Sequence, residues 1–230
     1  MPKFSIIVPA YNAEDRIRKV LGSVTCQTFK DYELIVVCDS CKDNTEKIAR
    51  EEFNAITSIE EFGNDGLSRS KGLDLATGEW VLFLDDDDWW LDDNVLEIIN
   101  DVTTRVPSIV DIIQFGFIWK GKGYYSCHIK NTELYNPNAE GIQIYANVWS
   151  KCIKRSFIGD TRFPNIHSIS DSKFVEALIK KSPKISFYDY PIYYYNWLRK
   201  GSISQQDHDK KKQQWNNNTT TNNEPLDWSL

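Results

Sequence analysis

The chain has 230 residues, with 27 basic and 33 acidic side chains and a formal net charge of −6 at pH 7. This length suffices for one α/β domain with a sizeable core, and no linker rich in Pro, Gly or Ser divides it. The acidic balance argues against non-specific binding of nucleic acid across the whole surface. Aromatic residues make up 13% of the chain, so we expect some of them to line a groove for a base or a sugar ring.

Targeting signals and cysteine usage indicate the compartment. No apolar run reaches about 18 residues and no secretory signal is visible, so the sequence predicts a soluble cytoplasmic protein, with peripheral association at the inner face of the membrane left open. Five cysteines without framework spacing fit a reducing compartment. Cys38 and Cys41 form a CxxC, but no second pair or nearby His completes a zinc site, which favours small residues in a turn.

The first half of the chain alternates between strand and helix patterns. Apolar and β-branched runs predict buried strands, and apolar residues at helical spacing predict helices between them. The predicted elements are a strand at 4–8 closed by a turn at 9–12, a helix from 17 to about 28 with Arg16, Arg18 and Lys19 on its other face, a strand at 33–37, a helix capped by 43–45, a strand at 55–62, a helix at 67–76 and a strand at 80–84. This order is typical of a doubly wound sheet.

The second half is less regular. Apolar positions predict a helix over 95–102 that ends before Pro107, a strand at 111–119 with a partner segment at 124–134, and further elements from 147. Ser170 or Asp171 can cap a helix, and 185–197 alternates as one or two strands. The polar tail at 205–230 has too few apolar residues to order itself, so we predict that it is flexible.

One stretch is the leading candidate site: the strand at 80–84 runs directly into Asp85, Asp86, Asp87 and Asp88. In open parallel sheets the ligand crevice lies beyond the carboxyl ends of the strands. Adjacent carboxylates there repel one another by about 1 kcal/mol or more per close pair unless a cation offsets them. Mg2+ and Mn2+ take such oxygen ligands and keep positions for a substrate phosphate. The alternative is a solvated turn that caps the next helix near residue 92 or 93.

Four sequence blocks follow one another along the chain: Ile6-Ile7-Val8-Pro9-Ala10-Tyr11-Asn12, Val37-Cys38-Asp39-Ser40-Cys41-Lys42-Asp43-Asn44-Thr45, Gly66-Leu67-Ser68-Arg69 and Leu82-Phe83-Leu84-Asp85-Asp86-Asp87-Asp88. In their order and spacing these blocks resemble those of family 2 glycosyltransferases with the GT-A fold, and the resemblance covers roughly residues 3–204. The resemblance implies an α/β, Rossmann-like fold with a mostly parallel central sheet flanked by helices. It also implies a single domain at 1–204, with a nucleotide-sugar half at 1–106 and a smaller acceptor-binding half at 107–204.

The implied donor is a nucleoside-diphosphate sugar, with a UDP-sugar favoured. By the resemblance, Pro9, Ala10 and Tyr11 would hold the nucleobase and ribose, together with Asn12 of the same block and Asp39 after the second strand. A Tyr ring can stack on a base, and a carboxylate can accept a hydrogen bond from a base N–H. The alternative for Asp39 is a turn-forming Asx residue.

The acid run matches the DxD element of that family in two registers. The resemblance assigns Asp87 and Asp88 to a Mn2+ or Mg2+ ion, and Asp85 and Asp86 to the ribose and diphosphate. The metal would act as a Lewis acid on the leaving nucleoside diphosphate.

Further positions complete the implied inverting transfer. Gly66 and Arg69 match the block near the sugar diphosphate, where a guanidinium neutralises leaving charge; a solvated helical Arg is the alternative. Asp171 matches the base that deprotonates the acceptor hydroxyl, with Ser170 where the family has Glu. The alternative for Asp171 is a plain N-cap.

The acceptor side is the least specified part of the resemblance. Trp89, Trp149, Lys151 and Ser170 are its candidate residues. The family's usual acceptor is a saccharide or a lipid-linked saccharide, in the synthesis of a polysaccharide or glycoconjugate, while proteins and modified nucleobases stay open.

Two other functions compete with this interpretation. A phosphotransferase of the haloacid dehalogenase type also has Asp-x-Asp after an apolar strand, but it needs a Thr where this chain has Trp89. The second is a non-catalytic nucleotide-sugar or glycan-binding protein with the same fold. Cys38 and Ser170, which stand where the family has acids, favour that alternative.

Overall fold

The computed structural model of the chain describes residues 1–120, 122–125, 144–166 and 169–197. Residues 1–196 form one compact unit, and 197–230 form a second, of which only Trp197 is described. The predicted flexible tail at 205–230 therefore lies outside the described residues. Within the described ranges, no helix is both long enough and apolar enough to cross a membrane.

Nine strands in the described ranges form one sheet, in the order β3-β2-β1-β4-β8-β6-β9-β5 with β7 beside β6. The strands are β1 Phe4–Ala10, β2 Tyr32–Asp39, β3 Ile56–Glu60, β4 Trp80–Phe83, β5 Trp89–Trp90, β6 Ile112–Trp119, β7 Gly123–Tyr125, β8 Lys151–Lys154 and β9 Ile185–Tyr195. The helices are α1 Ile17–Thr25, α2 Thr45–Phe53, α3 Asp65–Leu75, α4 Val95–Arg105, α5 Arg155–Ile158 and α6 Ser170–Ile179.

The predicted strand and helix order of the first half is confirmed. Strands β3, β2, β1 and β4 lie side by side and are all parallel, with the helices as crossovers. Successive side chains of a strand point to opposite faces, so Ile6 and Val8 of β1 enter one core layer and Ile7 enters the other. The first layer packs against α1, α2 and α4, and the second against α3 and α6.

The prediction that a turn begins at Pro9 is wrong, because β1 continues through Pro9 and Ala10. Pro9 pairs with Val37 of β2, while the pairing of β1 with β4 ends at Ile7. Beyond that point β1 has a neighbour on one side only. A proline, which lacks a backbone N–H, is therefore tolerated there.

The second half extends the same sheet with mixed strand directions. Strand β8 lies between β4 and β6 and is antiparallel to both, and β6 runs parallel to β9. The predicted strand at 111–119 is β6, and the segment at 185–197 forms the single strand β9. Of the predicted partner segment at 124–134, residues 124–125 belong to β7, which pairs with β6, and the rest lies outside the described residues.

Gly72 provides a test of the packing between α3 and β1. A Cβ at Gly72 would overlap the Ile7 side chain, so we expect Gly72→Ala to lower the free energy of unfolding by about 1–3 kcal/mol. Gly22→Ala in α1 is the matched control, because no heavy atom lies within 4 Å of that Cβ. The control should raise stability by roughly 0.5–1 kcal/mol. Urea denaturation measures both; equal effects would contradict this packing.

Candidate active site

The candidate site lies where the parallel strands β1, β2 and β4 end. Tyr11 follows β1, Asp39 ends β2, and the acid run follows β4. This is the edge at which open parallel sheets bind ligands. The backbone N–H of Tyr11 donates to Asp86 Oδ2 at 2.9 Å, and Arg69 of α3 donates to Asp85 Oδ1 at 2.6 Å. The structure therefore brings the predicted residues of separate blocks together at one edge.

Arg16 is a site residue that the sequence reasoning missed. It is the N-cap of α1 rather than part of the exposed helix face, and only 16% of its side chain is exposed. Its guanidinium pairs with Asp86 Oδ2 at 2.8 Å and donates to the carbonyl oxygens of Tyr11 and Asn12 at 3.0 and 2.8 Å. Asn12 has a φ of 43°, a left-handed conformation that Asn tolerates. Arg16 and Asp86 thus hold the turn after β1.

Asp39 is buried and organises the loop between β3 and α3. Its Oδ1 accepts from the backbone N–H of Gly63 at 2.9 Å and from the Ser40 hydroxyl at 3.0 Å. Its Oδ2 accepts from the backbone N–H of Asn64 at 2.8 Å and from the Ser68 hydroxyl at 3.1 Å. Three of these four hydrogen bonds come from residues 24 to 29 positions further along the chain, so Asp39 is more than a local Asx-turn residue. The predicted contact with the nucleobase stays a prediction.

Arg69 is the central cation of the site. It is 5% exposed, so the interpretation as a solvated helical Arg is wrong. Its Nη2 donates to Asp85 Oδ1 at 2.6 Å, its Nη1 donates to Asp65 Oδ2, and its Nη1 lies 3.3 Å from Asp171 Oδ1. Burial opposes the charge of Arg69, but the carboxylates of Asp171, Asp85 and Asp65 together raise its pKa well above the usual value. One guanidinium therefore joins three segments of the chain.

Ser170 and Asp171 open α6, but neither side chain caps it, so the predicted cap is wrong. Both point into the site: the Ser170 hydroxyl donates to Asp65 Oδ2 at 3.0 Å, and Asp171 Oδ2 accepts from the backbone N–H of Val148 at a long 3.4 Å. Asp171 Oδ1 is buried and accepts no hydrogen bond from the described residues. Burial raises the pKa of Asp171, and Arg69 opposes that rise.

Gly66 lets the first turns of α3 and α6 approach each other. A Cβ at Gly66 would lie 2.8 Å from Ser170 Cβ and 3.1 Å from the carbonyl oxygen of Pro164. A side chain there would push α6 outward. In this structure Gly66 thus acts through packing, and its predicted contact with the sugar diphosphate stays a prediction.

The last two acids of the run have different surroundings. Asp88 is fully buried, and its oxygens accept from the Tyr193 hydroxyl and the backbone N–H of Asn196, both at 2.7 Å. Asp87 is half-buried, and its carbonyl oxygen accepts from the Asn196 side chain at 3.2 Å. Helix α4 begins only at Val95 with Asn94 as its N-cap, so the acids do not form a capping turn.

Negative charge is concentrated at this edge. Burial, with the nearby charges of Asp171 and Asp87, raises the pKa of Asp85 to about 7 against the opposing effect of Arg69. Burial, with the charges of Asp87 and Asp85, likewise raises the pKa of Asp88 well above its usual value. A bound cation would relieve this repulsion. In the part of the chain that is described, no three His, Cys, Asp or Glu side chains are grouped to hold a metal ion.

Of the four predicted acceptor residues, Trp89 is half-buried, whereas Trp149, Lys151 and Ser170 are buried. Trp89 is half-buried, stacks on Tyr194 with ring centroids 4.4 Å apart, and has Lys19 Nζ 3.0 Å from its ring centroid. Trp149 is 6% exposed and stacks on Tyr193. Lys151 is 1% exposed, and its Nζ donates to backbone carbonyls of residues 145 and 147 at 2.7 and 2.6 Å. Trp149 and Lys151 thus support the site from within the protein in this structure, and their predicted contact with the acceptor stays a prediction.

The CxxC pair lies beside the turn after β1. Cys38 is buried at the end of β2, and the hydrogen bond with Cys41 raises its pKa. Cys41 Sγ donates to the carbonyl oxygen of Ala10 and accepts from the backbone N–H of Asn12, each at 3.4 Å. Both thiols are free; Cys38 lies within β2, and Cys41 lies in the turn that follows it.

Known proteins resemble this chain along most of its length. Glycosyltransferase GlyA of Streptococcus pneumoniae is 27% identical over 221 residues, which cover 88% of this chain and 32% of GlyA. The amylovoran biosynthesis glycosyltransferase AmsB of Erwinia amylovora is 33% identical over 134 residues, covering 51% of this chain and 44% of AmsB. The chain thus spans less than half of the length of either relative.

Solved structures share the fold. A crystal structure of Staphylococcus aureus TarS 1–349 in complex with UDP-GlcNAc has a TM-score of 0.77 at 26% identity, covering 88% of this chain and 60% of that one. Mannosyltransferase PcManGT from Pyrobaculum calidifontis has a TM-score of 0.68 at 17% identity, covering 97% and 66%. These neighbours confirm the predicted GT-A fold. The model of glycosyl transferase family 2 matches residues 5–159, which include the acid run and the strands on both sides of it, and the chain belongs to that family.

Proposed function

We propose that this protein is an inverting glycosyltransferase that moves a sugar from a UDP-sugar to an acceptor hydroxyl. One observation carries the proposal: Asp85, at the predicted diphosphate site, and Asp171, the predicted base, contact the same buried guanidinium of Arg69. One residue, Arg69, therefore holds both an acid of the predicted sugar-nucleotide site and the predicted base for the acceptor hydroxyl. TarS, whose structure with UDP-GlcNAc has the same fold at 26% identity, supports a UDP-sugar as donor.

The donor would bind along the ends of β1, β2 and β4. Tyr11 is 60% exposed, so its ring can stack on the nucleobase. Arg16, which pairs with Asp86, donates a hydrogen bond to the Tyr11 carbonyl oxygen and so holds the backbone of Tyr11 in place. Arg69 would neutralise charge on the diphosphate as the bond to the sugar breaks. These contacts are made to parts of the donor that do not change between different sugars.

Asp87 is the residue that we assign to a divalent cation. It is half-buried at the edge of the site and is the last acid of the register Asp85-x-Asp87. Asp88 is assigned to hold the loop, because its oxygens accept hydrogen bonds from Tyr193 and Asn196. Oxygen ligands and excess negative charge fit Mn2+ or Mg2+, which bind few protein carboxylates together with substrate phosphates. When bound, the ion would stabilise the negative charge of the leaving nucleoside diphosphate.

Asp171 is the group that we assign as general base. Its Oδ1 is buried against Arg69, but 22% of the side chain is exposed, and Oδ2 accepts only one long hydrogen bond, of 3.4 Å, from the backbone N–H of Val148. We therefore assign Oδ2 as the atom that takes the proton of the acceptor hydroxyl. The hydroxyl oxygen then forms a bond to the anomeric carbon while the bond from that carbon to the diphosphate breaks, and the bonding electrons leave with the nucleoside diphosphate. Attack from the side opposite the leaving group inverts the anomeric carbon.

The acceptor is proposed by analogy with the relatives. GlyA is named as a glycosyltransferase, AmsB as an amylovoran biosynthesis glycosyltransferase, and TarS as a poly(ribitol-phosphate) β-N-acetylglucosaminyltransferase. We therefore propose a saccharide, lipid-linked or polymeric acceptor, in the synthesis of a polysaccharide or glycoconjugate.

The second candidate is a binding protein without turnover. Cys38 and Ser170, in place of family acids, favour it, whereas the position of Asp171 beside Arg69 in the site favours the enzyme. Release of UDP from UDP-GlcNAc in the presence of Mn2+ would support the enzyme. Tight binding without release of UDP, across a panel of UDP-, GDP-, CDP- and dTDP-sugars, would support the binder.

Asp87→Asn should abolish the part of donor binding that depends on Mn2+. At saturating UDP and Mn2+ we expect the melting temperature of the wild type to rise by roughly 5–10 °C. The variant should keep only the rise that UDP gives without metal. Asp101→Asn, an exposed acid on α4 paired with Arg105, is the control and should behave as the wild type. A full Mn2+-dependent shift in Asp87→Asn would refute the metal assignment.

Asp171→Asn should separate binding from chemistry. The amide has nearly the same shape as the carboxylate but cannot take the proton, so we expect UDP affinity to change by less than about threefold, and transfer to fall by roughly 10²- to 10⁴-fold. Calorimetry with UDP and an assay of UDP release measure the two effects. Turnover close to that of the wild type would reject Asp171 as the base.

A further inference from the structure

Asp65, the first residue of α3, is an acid that no predicted role covers. It lies between Arg69 one turn further along the helix and Ser170 at the start of α6. Its Oδ2 accepts from Arg69 Nη1 and, at 3.0 Å, from the Ser170 hydroxyl. Burial opposes its charge, but Arg69 and Ser170 lower the pKa of Asp65 below its usual value, so it is ionised at neutral pH.

The contacts of Asp65 determine what is left for Asp171. Arg69 Nη1 is hydrogen bonded to Asp65, and Arg69 Nη2 is hydrogen bonded to Asp85 at 2.6 Å. Asp171 Oδ1 lies 3.3 Å from Nη1 but accepts no hydrogen bond from it. The guanidinium is thus directed at the other two acids. Asp171 keeps an ion pair, through Oδ1, that orients it without a hydrogen bond from the guanidinium.

We propose that Asp65 is a positioning residue for Asp171: its bond to Arg69 Nη1 directs this nitrogen away from a hydrogen bond with Asp171, and it anchors the start of α6 through Ser170. The proposal rests on the function proposed above, in which Asp171 is the general base. A carboxylate that is hydrogen bonded to a guanidinium is a weak base, because the bond stabilises its charged form. Asp65 therefore keeps Asp171 basic.

The charges around Asp171 agree with this role. Arg69 and Asp65 face it from α3, Lys151 from β8, and Asp85 from the loop after β4. Burial is the largest cause of the raised pKa of Asp171; Asp65 adds to the rise, while Arg69 and Lys151 oppose it. Removal of the charge of Asp65 takes away one cause of the raised pKa of Asp171 and leaves the effect of Arg69 in place. The pKa of Asp171 should therefore fall, in favour of its charged form.

Asp65→Asn tests the proposal, because a neutral amide oxygen accepts from Arg69 much more weakly than the carboxylate does. We expect the pKa of Asp171, followed by 13C NMR of labelled aspartate carboxyl groups, to fall by about one unit. In transfer assays the rate rises as the base loses its proton, so the acidic limb of the pH profile should move to lower pH by a similar amount. The plateau kcat should fall several-fold with KM for the donor nearly unchanged.

Two variants separate this effect from general loss of stability. Asp74→Asn removes an acid from the same helix that pairs with Arg162 on the surface; it should leave the pKa of Asp171 unchanged. Asp65→Glu restores the charge and should return the acidic limb toward its wild-type position. If Asp65→Asn lowers only the melting temperature and leaves the titration of Asp171 where it was, Asp65 is structural and the proposal is wrong.

The NMR measurement needs no substrate, so it stands even if the protein transfers no sugar. In the wild type itself, Asp171 should titrate above Asp65. The reverse order would overturn the proposal even if Asp65→Asn does not fold. Absence of transfer from every donor, with the titrations as expected, would instead count against the proposed function.

Discussion

The site depends on one buried cation. An unpaired guanidinium would be costly to bury, whereas Arg69 is surrounded by Asp65, Asp85 and Asp171 from three separate segments. Loss of Arg69 would leave three buried carboxylates without their shared cation, and breaking a buried ion pair in this way costs about 3–5 kcal/mol. The ion pairs therefore do more than stabilise the fold. They hold the start of α3, the loop after β4 and the start of α6 in one arrangement.

The four adjacent aspartates have four different surroundings. Asp85 accepts a hydrogen bond from Arg69, Asp86 accepts one from Arg16 beside the turn after β1, and Asp88 accepts one from the Tyr193 hydroxyl of β9. Asp87, which is half-buried at the edge of the site, is the acid that we assign to a metal ion. The flanking acids fix the loop on both sides, which is how a functional group on a loop is held in place by the rigid sheet behind it.

The sheet itself brings the two halves of the site together. Strand β8 inserts between β4 and β6, so the second half of the chain continues the sheet of the first instead of packing as a separate domain. Helix α6 then covers the same face as α3, with Phe174 against Phe83 and Phe163. This packing, with the close approach at Gly66, delivers Ser170 and Asp171 to the end of α3.

Most of the elements, and the sheet edge that carries the site, follow from the sequence, because apolar periodicity and motif order are local signals. The sequence alone therefore determined the alternating fold, the family and the candidate roles of residues such as Asp85 and Arg69. Only the tertiary structure decided which partner each acid has, and it alone revealed Arg16 and Asp65. The bond of Arg16 to Asp86 spans 70 positions and that of Asp65 to Ser170 spans 105. Such pairs are set by how strands and helices pack, and no periodic pattern in the chain records them.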